Sequence, residues 1–482
     1  MNNSRRNSMG CAIVALGALC VLWIVPGTFC TEAAAANSDQ GYSISAYRGN
    51  LSAALQAIGE TETTLYIDAP AMLTGDATVP ATLGLVFCKG GCIVHGAHKL
   101  RINGSLSAGP YQIFEGTGEV TIADNAVTEM FVEWWGGAGD NATDNTPAFT
   151  AAVAAMTNPS IRLLQGTYLG VFAASGKAVD LHGSGKWKTT LKNNNPAATT
   201  LHLSECHGAH ISDMKIHLND APPIGVHLEH CTYLDMQRMG IWKQGDADNY
   251  ALHVSDCTLS SFQDIVIHYA AMHVDHSYYS HFKNVSIAEP PGTVPTLHIA
   301  NTAALQFFGL YVELAEQGRG GAIVLQSADN VNFYGLGCEI AHGISASAGF
   351  IRVRSGKAVN FYGGRIYQHK NASGPLFSLS GVHGCKIDGW LLRRSIEDDS
   401  PFIVLGAGLD NVQISNVEFL ADPVAMVGVQ SAAGPENRAG RVILENLTHG
   451  EHPVNHAINA TDLAVRNVKG EVTRIGNPDT GN

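Results

Sequence analysis

LHVSDCTLSSFQDIVIHYAAMHVDHSYYSHFKNVSIA, residues 252–288, says the same thing twice. An apolar–His–apolar tripeptide opens each half, at Leu252–Val254 and Met272–Val274. Ten positions after each opening stands a phenylalanine, Phe262 and Phe282, and fifteen positions after it an isoleucine, Ile267 and Ile287. The tripeptide also occurs as LHL at 201–203, VHL at 226–228 and LHI at 297–299. Self-similarity at a period of 20–26 residues is the signature of a solenoid.

Working outward, the repeat continues without the histidine from Ile323, Ile351, Phe377 and Ile403. The tenth-position column then reads Ile211, Met236, Phe262, Phe282, Phe307, Phe333, Phe361, Ile387. Two positions later stands a turn former in most repeats: Asp213, Asp264, Asn284, Gly309, Gly335, Gly363 and Gly389, with Arg238 as the exception. Such residues tolerate the left-handed backbone region. Short alternating strands with β-branched and aromatic residues, separated by tight turns, describe a parallel β-helix whose coils bury a shared core only by stacking. The phenylalanines read as an inward stack. Cys206, Cys231 and Cys257 share a column and read as buried thiols.

The chain has 482 residues, 15% charged, with a formal net charge of −13. That balance argues against gripping nucleic acid through its phosphates. Residues 1–36 read as a signal peptide: positive charge in SRRNS, an apolar run from Met9 to Val25, and small-residue cleavage sites ending at Ala36. The expected location is secreted or periplasmic, with no membrane contact after cleavage. Cys88 and Cys92 are close enough in sequence for a small disulfide loop. Residues 37–131 read as a β-rich lead-in module, 132–475 as the β-helix and 476–482 as a frayed tail.

VEWWGGAGDNATDNTPAFTAAVAAM at 132–156 departs from the repeat. Thr146 and Pro147 suit a helix start, with Thr146 as cap and Asp144 near the positive end of the helix dipole. Trp134, Trp135, Gly136, Ala138, Gly139, Asp140, Thr143, Asp144, Thr146 and Ala148, followed by Gly166, Thr167 and Tyr168, resemble the opening motif of the pectate-lyase-like superfamily. That superfamily includes rhamnogalacturonase- and epimerase-like proteins and phage tailspikes. Two departures stand out: Asn141 where the family has Gly, and Asn145 where it has Asp. The resemblance implies an all-β, right-handed parallel β-helix, a single-stranded solenoid with a short N-terminal capping helix. It implies turn and cap roles for Asp140, Asp144 and Asn145, leaves a homotrimer open as an assembly, and points to polysaccharide as the partner.

The resemblance also places the His tripeptide on the strand that lines the substrate groove. Its apolar residues would point in, and His202, His227, His253, His273 and His298 would form an outward column. Glu229, Asp256 and Asp275 flank that column. Glu229 and Asp275 lie two coils apart, about 9.5 Å, near the upper end for an inverting glycosidase pair. Three readings follow. A glycoside hydrolase would use two of Glu229, Asp256 and Asp275 as acid and base. A binding or cell-surface structural protein would use the column with His276 and Tyr278 only to contact sugar. A uronate lyase or epimerase would use His253 or His273 as base. Like-on-like stacking of the imidazoles explains the column without chemistry. Two charged imidazoles one strand apart would repel by about 3.5 kcal/mol at an effective dielectric of 20, so the column is expected neutral. No metal ligand or cofactor is assigned, except that the acidic loop SIEDDSPF at 395–402 could take calcium.

Overall fold

The computed structural model describes residues 41–195, 197–218, 224–243, 250–290, 293–314, 321–341, 344–369, 372–394, 400–421, 426–434, 438–450 and 454–475. The N-terminal segment 1–36, the tail 476–482 and most of the acidic loop 395–402 lie outside the described residues.

The lead-in already coils. Strands between residues 42 and 122 fall into three small parallel sheets, with Leu65, Leu85 and Leu106 opposite one another on successive turns. Helix α1 (Leu51–Ile58) buries Leu51, Ala54 and Ile58, and the Asn50 side chain caps it by accepting the Ala53 N–H at 2.9 Å. The expected Cys88–Cys92 loop does not form. Cys92 is a free thiol, beyond the corner that carries the chain from the sheet of Leu83–Phe87 to that of Ile93–Gly96.

Helix α2 (Thr146–Ala155) follows, with Pro147 in its first turn. Its N-cap residue is Asn145, one position before the Thr146 expected from sequence. Asn145 is fully buried; it accepts the Ala138 N–H at 2.7 Å and donates to the carbonyls of Ala138, Thr143 and Leu169 at 2.9–3.1 Å. Thr146 instead accepts the Val171 N–H at 2.9 Å, tying the helix to the next segment. Asp144 accepts the Thr146 N–H, and Asp140 accepts those of Ala142 and Thr143. Asn141 sits at φ 59°, the left-handed conformation that explains Gly at this position in the motif.

From Phe172 to Leu314 each coil contributes three short strands, and from Asn332–Ile340 onward the second and third run on as one continuous strand. The first strands stack into one long parallel sheet from Phe172–Ser175 to Val472–Arg474, and the second and third strands into another. The register agrees with the column alignment: Met236, Phe262, Phe282, Phe307, Phe333, Phe361 and Ile387 are successive partners. The five phenylalanines stack face to face, with centroids 4.6–4.9 Å apart and planes within 14°. Burying each stabilises the fold by about 1.5–3 kcal/mol.

The turn column between second and third strands is left-handed throughout, with φ of 61° at Asp213, 55° at Asp264, 52° at Asn284 and 64° at Gly309. Arg238 obeys it too at φ 53°, and its guanidinium grips Asp213 of the coil before at 2.6 and 2.7 Å. The column ends as an asparagine ladder, in which Asn446 donates to Asn416 and Asn467 to Asn446 at 3.0 and 2.9 Å. Cys206, Cys231 and Cys257 are buried free thiols pointing at carbonyls of the preceding coil, 3.4–3.6 Å away.

Candidate functional site: a histidine ladder

His202, His227, His253, His273 and His298 pair in unbroken register along the first-strand sheet, and Val324 ends the row. Their flanking apolar residues, from Leu201 and Leu203 to Leu297 and Ile299, are fully buried, so alternation turns the imidazoles outward. The rings stack with centroids 4.6–5.0 Å apart and planes within 11°. The faces are thus covered by neighbouring rings.

Burial lowers the pKa of His227, His253, His273 and His298, and neighbouring imidazoles push His227 and His273 down further. His273 falls to about 4. The ladder is therefore neutral at pH 7 at these positions, as charge repulsion requires. Both ring nitrogens of His253 and Nε2 of His273 are closed to solvent and lack a hydrogen-bond partner among the described residues.

The flanking carboxylates are tied to histidines. Glu229 lies 3.3 Å from His202 Nε2 and 3.7 Å from His230. His230 also reaches toward Asp256, at 3.9 Å. Asp275 holds His276 at 2.9 Å and accepts from Asn301 at 3.1 Å. Burial alone would raise the Asp275 carboxyl, but those hydrogen bonds and nearby imidazoles outweigh it and hold it below the usual range. His230, Asp256, His276 and Asn301 all occupy left-handed turns at φ 46–52°. Glu229, Asp256, Asp275, His276 and the ladder thus share one face. Tyr278 is placed elsewhere, beyond the turn at His276 in a short bridge between Thr258 and Ala303.

Tyr250 completes the face and escapes sequence reading. Strict alternation from His253 would turn it inward, but a register irregularity between Tyr250 and Leu252 re-aims it. Its ring stacks on His273 at 4.8 Å. Arg354 also acts here: its exposed charge helps lower the His298 pKa from farther along the sheet.

Two groups bring three donor atoms within 4.8 Å of one another: His202, His227 and Glu229, and His253, His273 and Asp275. A metal bound to imidazole lies in the ring plane. Parallel planes stacked at 4.6–5.0 Å cannot both contain one ion unless the stack splays. The ladder as built favours hydrogen bonding over metal ligation.

No protein-family model matches the chain, and no curated protein matches it in sequence. The fold has solved counterparts. The A-module of the mannuronan C-5 epimerase AlgE6 of Azotobacter vinelandii aligns at TM-score 0.51 and 15% identity, over 72% of this chain and 100% of that one. The DFA-IIIase of Arthrobacter chlorophenolicus A6, without its lid and in complex with GF2, aligns at TM-score 0.51 and 11% identity, over 66% and 94%. The surface protein and adhesin PfbA of Streptococcus pneumoniae aligns at TM-score 0.50 and 10% identity, over 70% and 100%. At such identities the likeness is one of fold: the chain is a right-handed parallel β-helix.

Proposed function

We propose that this is an exported polysaccharide-binding protein that holds an extended glycan along the histidine-ladder face. One observation carries the reading: five imidazoles repeat in a straight, stacked row at 4.6–5.0 Å, with His227, His253, His273 and His298 held neutral at pH 7, a periodic surface suited to a periodic polymer. Glu229, Asp256, Asp275 and His276 beside the row accept or donate to sugar hydroxyls, and Tyr250 adds an aromatic surface. A mannuronan epimerase sharing this fold supports the polysaccharide class. Hydrolysis by two of Glu229, Asp256 and Asp275 would need one carboxyl as acid and one as ionised base or nucleophile, and Asp275, held below its usual range, suits only the second role.

Affinity electrophoresis against neutral and uronate polysaccharides tests the binding reading, with reducing-end and unsaturated-uronate assays on the same mixtures. Wild type is expected to be retarded by at least one polymer, and a His253→Ala/His273→Ala variant that keeps its fold to bind at least tenfold more weakly. Equal retardation of the two sinks the ladder as the binding face.

A further inference from the structure

The outward column of the third strands is a second track. In register along consecutive coils it reads Trp242, His268, Ala288, Glu313, Glu339, Tyr367 and Arg393. One end is aromatic: Trp242 packs against His268 at 4.9 Å and against the exposed Tyr269 at 5.4 Å. The far end is aromatic and cationic, with Tyr367 edge-on to His369 at 4.4 Å and Arg393 over the Tyr367 ring at 5.2 Å. Ala288 leaves a low point beside the acidic centre.

That centre is ordered. Glu339 accepts from the Tyr311 hydroxyl at 2.8 Å and pairs with His369 Nε2 at 2.7 Å, so both its oxygens are fixed. Tyr311 reaches the next coil because Gly337 lies beneath its ring; a Cβ there would stand 3.0 Å from it. Glu313 is the immediate strand neighbour of Glu339, and its side chain makes no hydrogen bond among the described residues. The hydrogen bonds from His369 and Tyr311 hold the Glu339 carboxyl below its usual range, whereas burial, then Glu289 and Glu339, push Glu313 up. Two carboxyls driven apart in this way make an acid and a base.

We propose that Glu313 and Glu339 form a glycosidase centre, distinct from the ladder, for a neutral polysaccharide whose sugar rings lie along the Trp242–Arg393 track. Neighbouring strands set their backbones about 4.8 Å apart, which suits the roughly 5–5.5 Å carboxyl separation of a retaining mechanism. The Glu339 carboxylate bonds to the anomeric carbon as the glycosidic C–O bond breaks. The departing oxygen keeps the electron pair and takes the Glu313 proton. Water then bonds to the anomeric carbon and gives its proton to Glu313, and the bond to Glu339 breaks with its electron pair returning to that carboxylate. Tyr311 and His369 are positioning residues for Glu339. Trp242 and Tyr269 offer apolar faces to sugar rings, and Glu313 and Glu339 together with Glu289 disfavour a uronate here.

The test is reducing-end release by the full chain from a panel of neutral polysaccharides: xylan, mannan, mixed-linkage glucan and fructan. Wild type is expected to cleave at least one, and Glu339→Gln and Glu313→Gln to lose at least a hundredfold in rate at unchanged melting temperature. Azide is expected to restore cleavage to Glu339→Ala with formation of a glycosyl azide, which a merely structural role would not produce. Trp242→Ala should raise KM more than it lowers kcat. Wild type that cleaves none of the panel, or Glu339→Gln that keeps the wild-type rate, overturns the proposal. Binding is read separately, so failure of the ladder reading shows as absent retardation and not as absent cleavage.

Discussion

The Tyr250 ring stacks on His273 at 4.8 Å, across neighbouring coils, because the strand bulges between Tyr250 and Leu252. The contact buries an imidazole that is already sandwiched between two others. Removing it with Tyr250→Ala should expose His273 and move its pKa up from about 4 toward the ordinary 6.5, as followed by an NMR titration of the imidazole protons. An unchanged titration would mean that the stacked neighbours alone do the burying.

The ladder should make stability depend on pH. Folded pKa values of His227, His253, His273 and His298 are depressed, so the unfolded chain binds protons first. The ladder's contribution is full above about pH 6.5, the unfolded value, and is lost as pH falls toward about 4. The melting temperature is expected to drop by several degrees over that window. The double variant His253→Asn/His273→Asn should show a shallower fall, which separates the ladder from carboxylates that titrate lower.

Phe307 lies between Phe282 and Phe333 in the aromatic stack. Phe307→Ala should destabilise by about 3–5 kcal/mol, transfer and cavity terms together. Phe307→Leu should cost about half of that or less. Urea unfolding at one pH measures both.

Restoring the motif's aspartate at 145 should harm this protein. The Asn145 side-chain NH₂ donates to the carbonyls of Ala138, Thr143 and Leu169 in a fully buried site. A carboxylate has no proton to donate and would face three carbonyl oxygens. Asn145→Asp is expected to lose about 1–3 kcal/mol or more, read as a lower melting temperature that partly recovers at acid pH.

Asn141 should accept glycine but not a Cβ-bearing substitute without a polar side chain. At φ 59° its backbone is left-handed, so Asn141→Ala should cost about 1 kcal/mol and Asn141→Gly close to nothing. Equal thermal stability of the two variants would refute this.

The repeat of residues 201–314 made most of the fold legible. Parallel coils force like positions into register, so one alignment on the His tripeptide located the phenylalanine stack, the thiol column and the left-handed turns together. Even Arg238, which broke the turn pattern by type, adopts it, because its neighbours' register leaves no other path and Asp213 binds its side chain. Alternation likewise placed the five imidazoles outward. It failed at Tyr250, since a bulge resets the alternation and leaves no mark in residue types. Tyr278 was not placed by alternation, and it lies past the left-handed turn at His276, off the ladder strand.

The amino-acid sequence by itself determined the solenoid, its period and the side of each strand that meets the core, because burial of a shared apolar face repeats with the coil. Only the tertiary structure decided which outward residues act together. Glu313 and Glu339 lie 26 residues apart and look unremarkable in the chain, yet they are neighbours on adjacent strands, with Tyr311 and His369 converging on one of them. The physical reason is that contacts between coils run across the chain direction. Local pattern records which face a side chain takes, and only stacking records which other side chain it meets there.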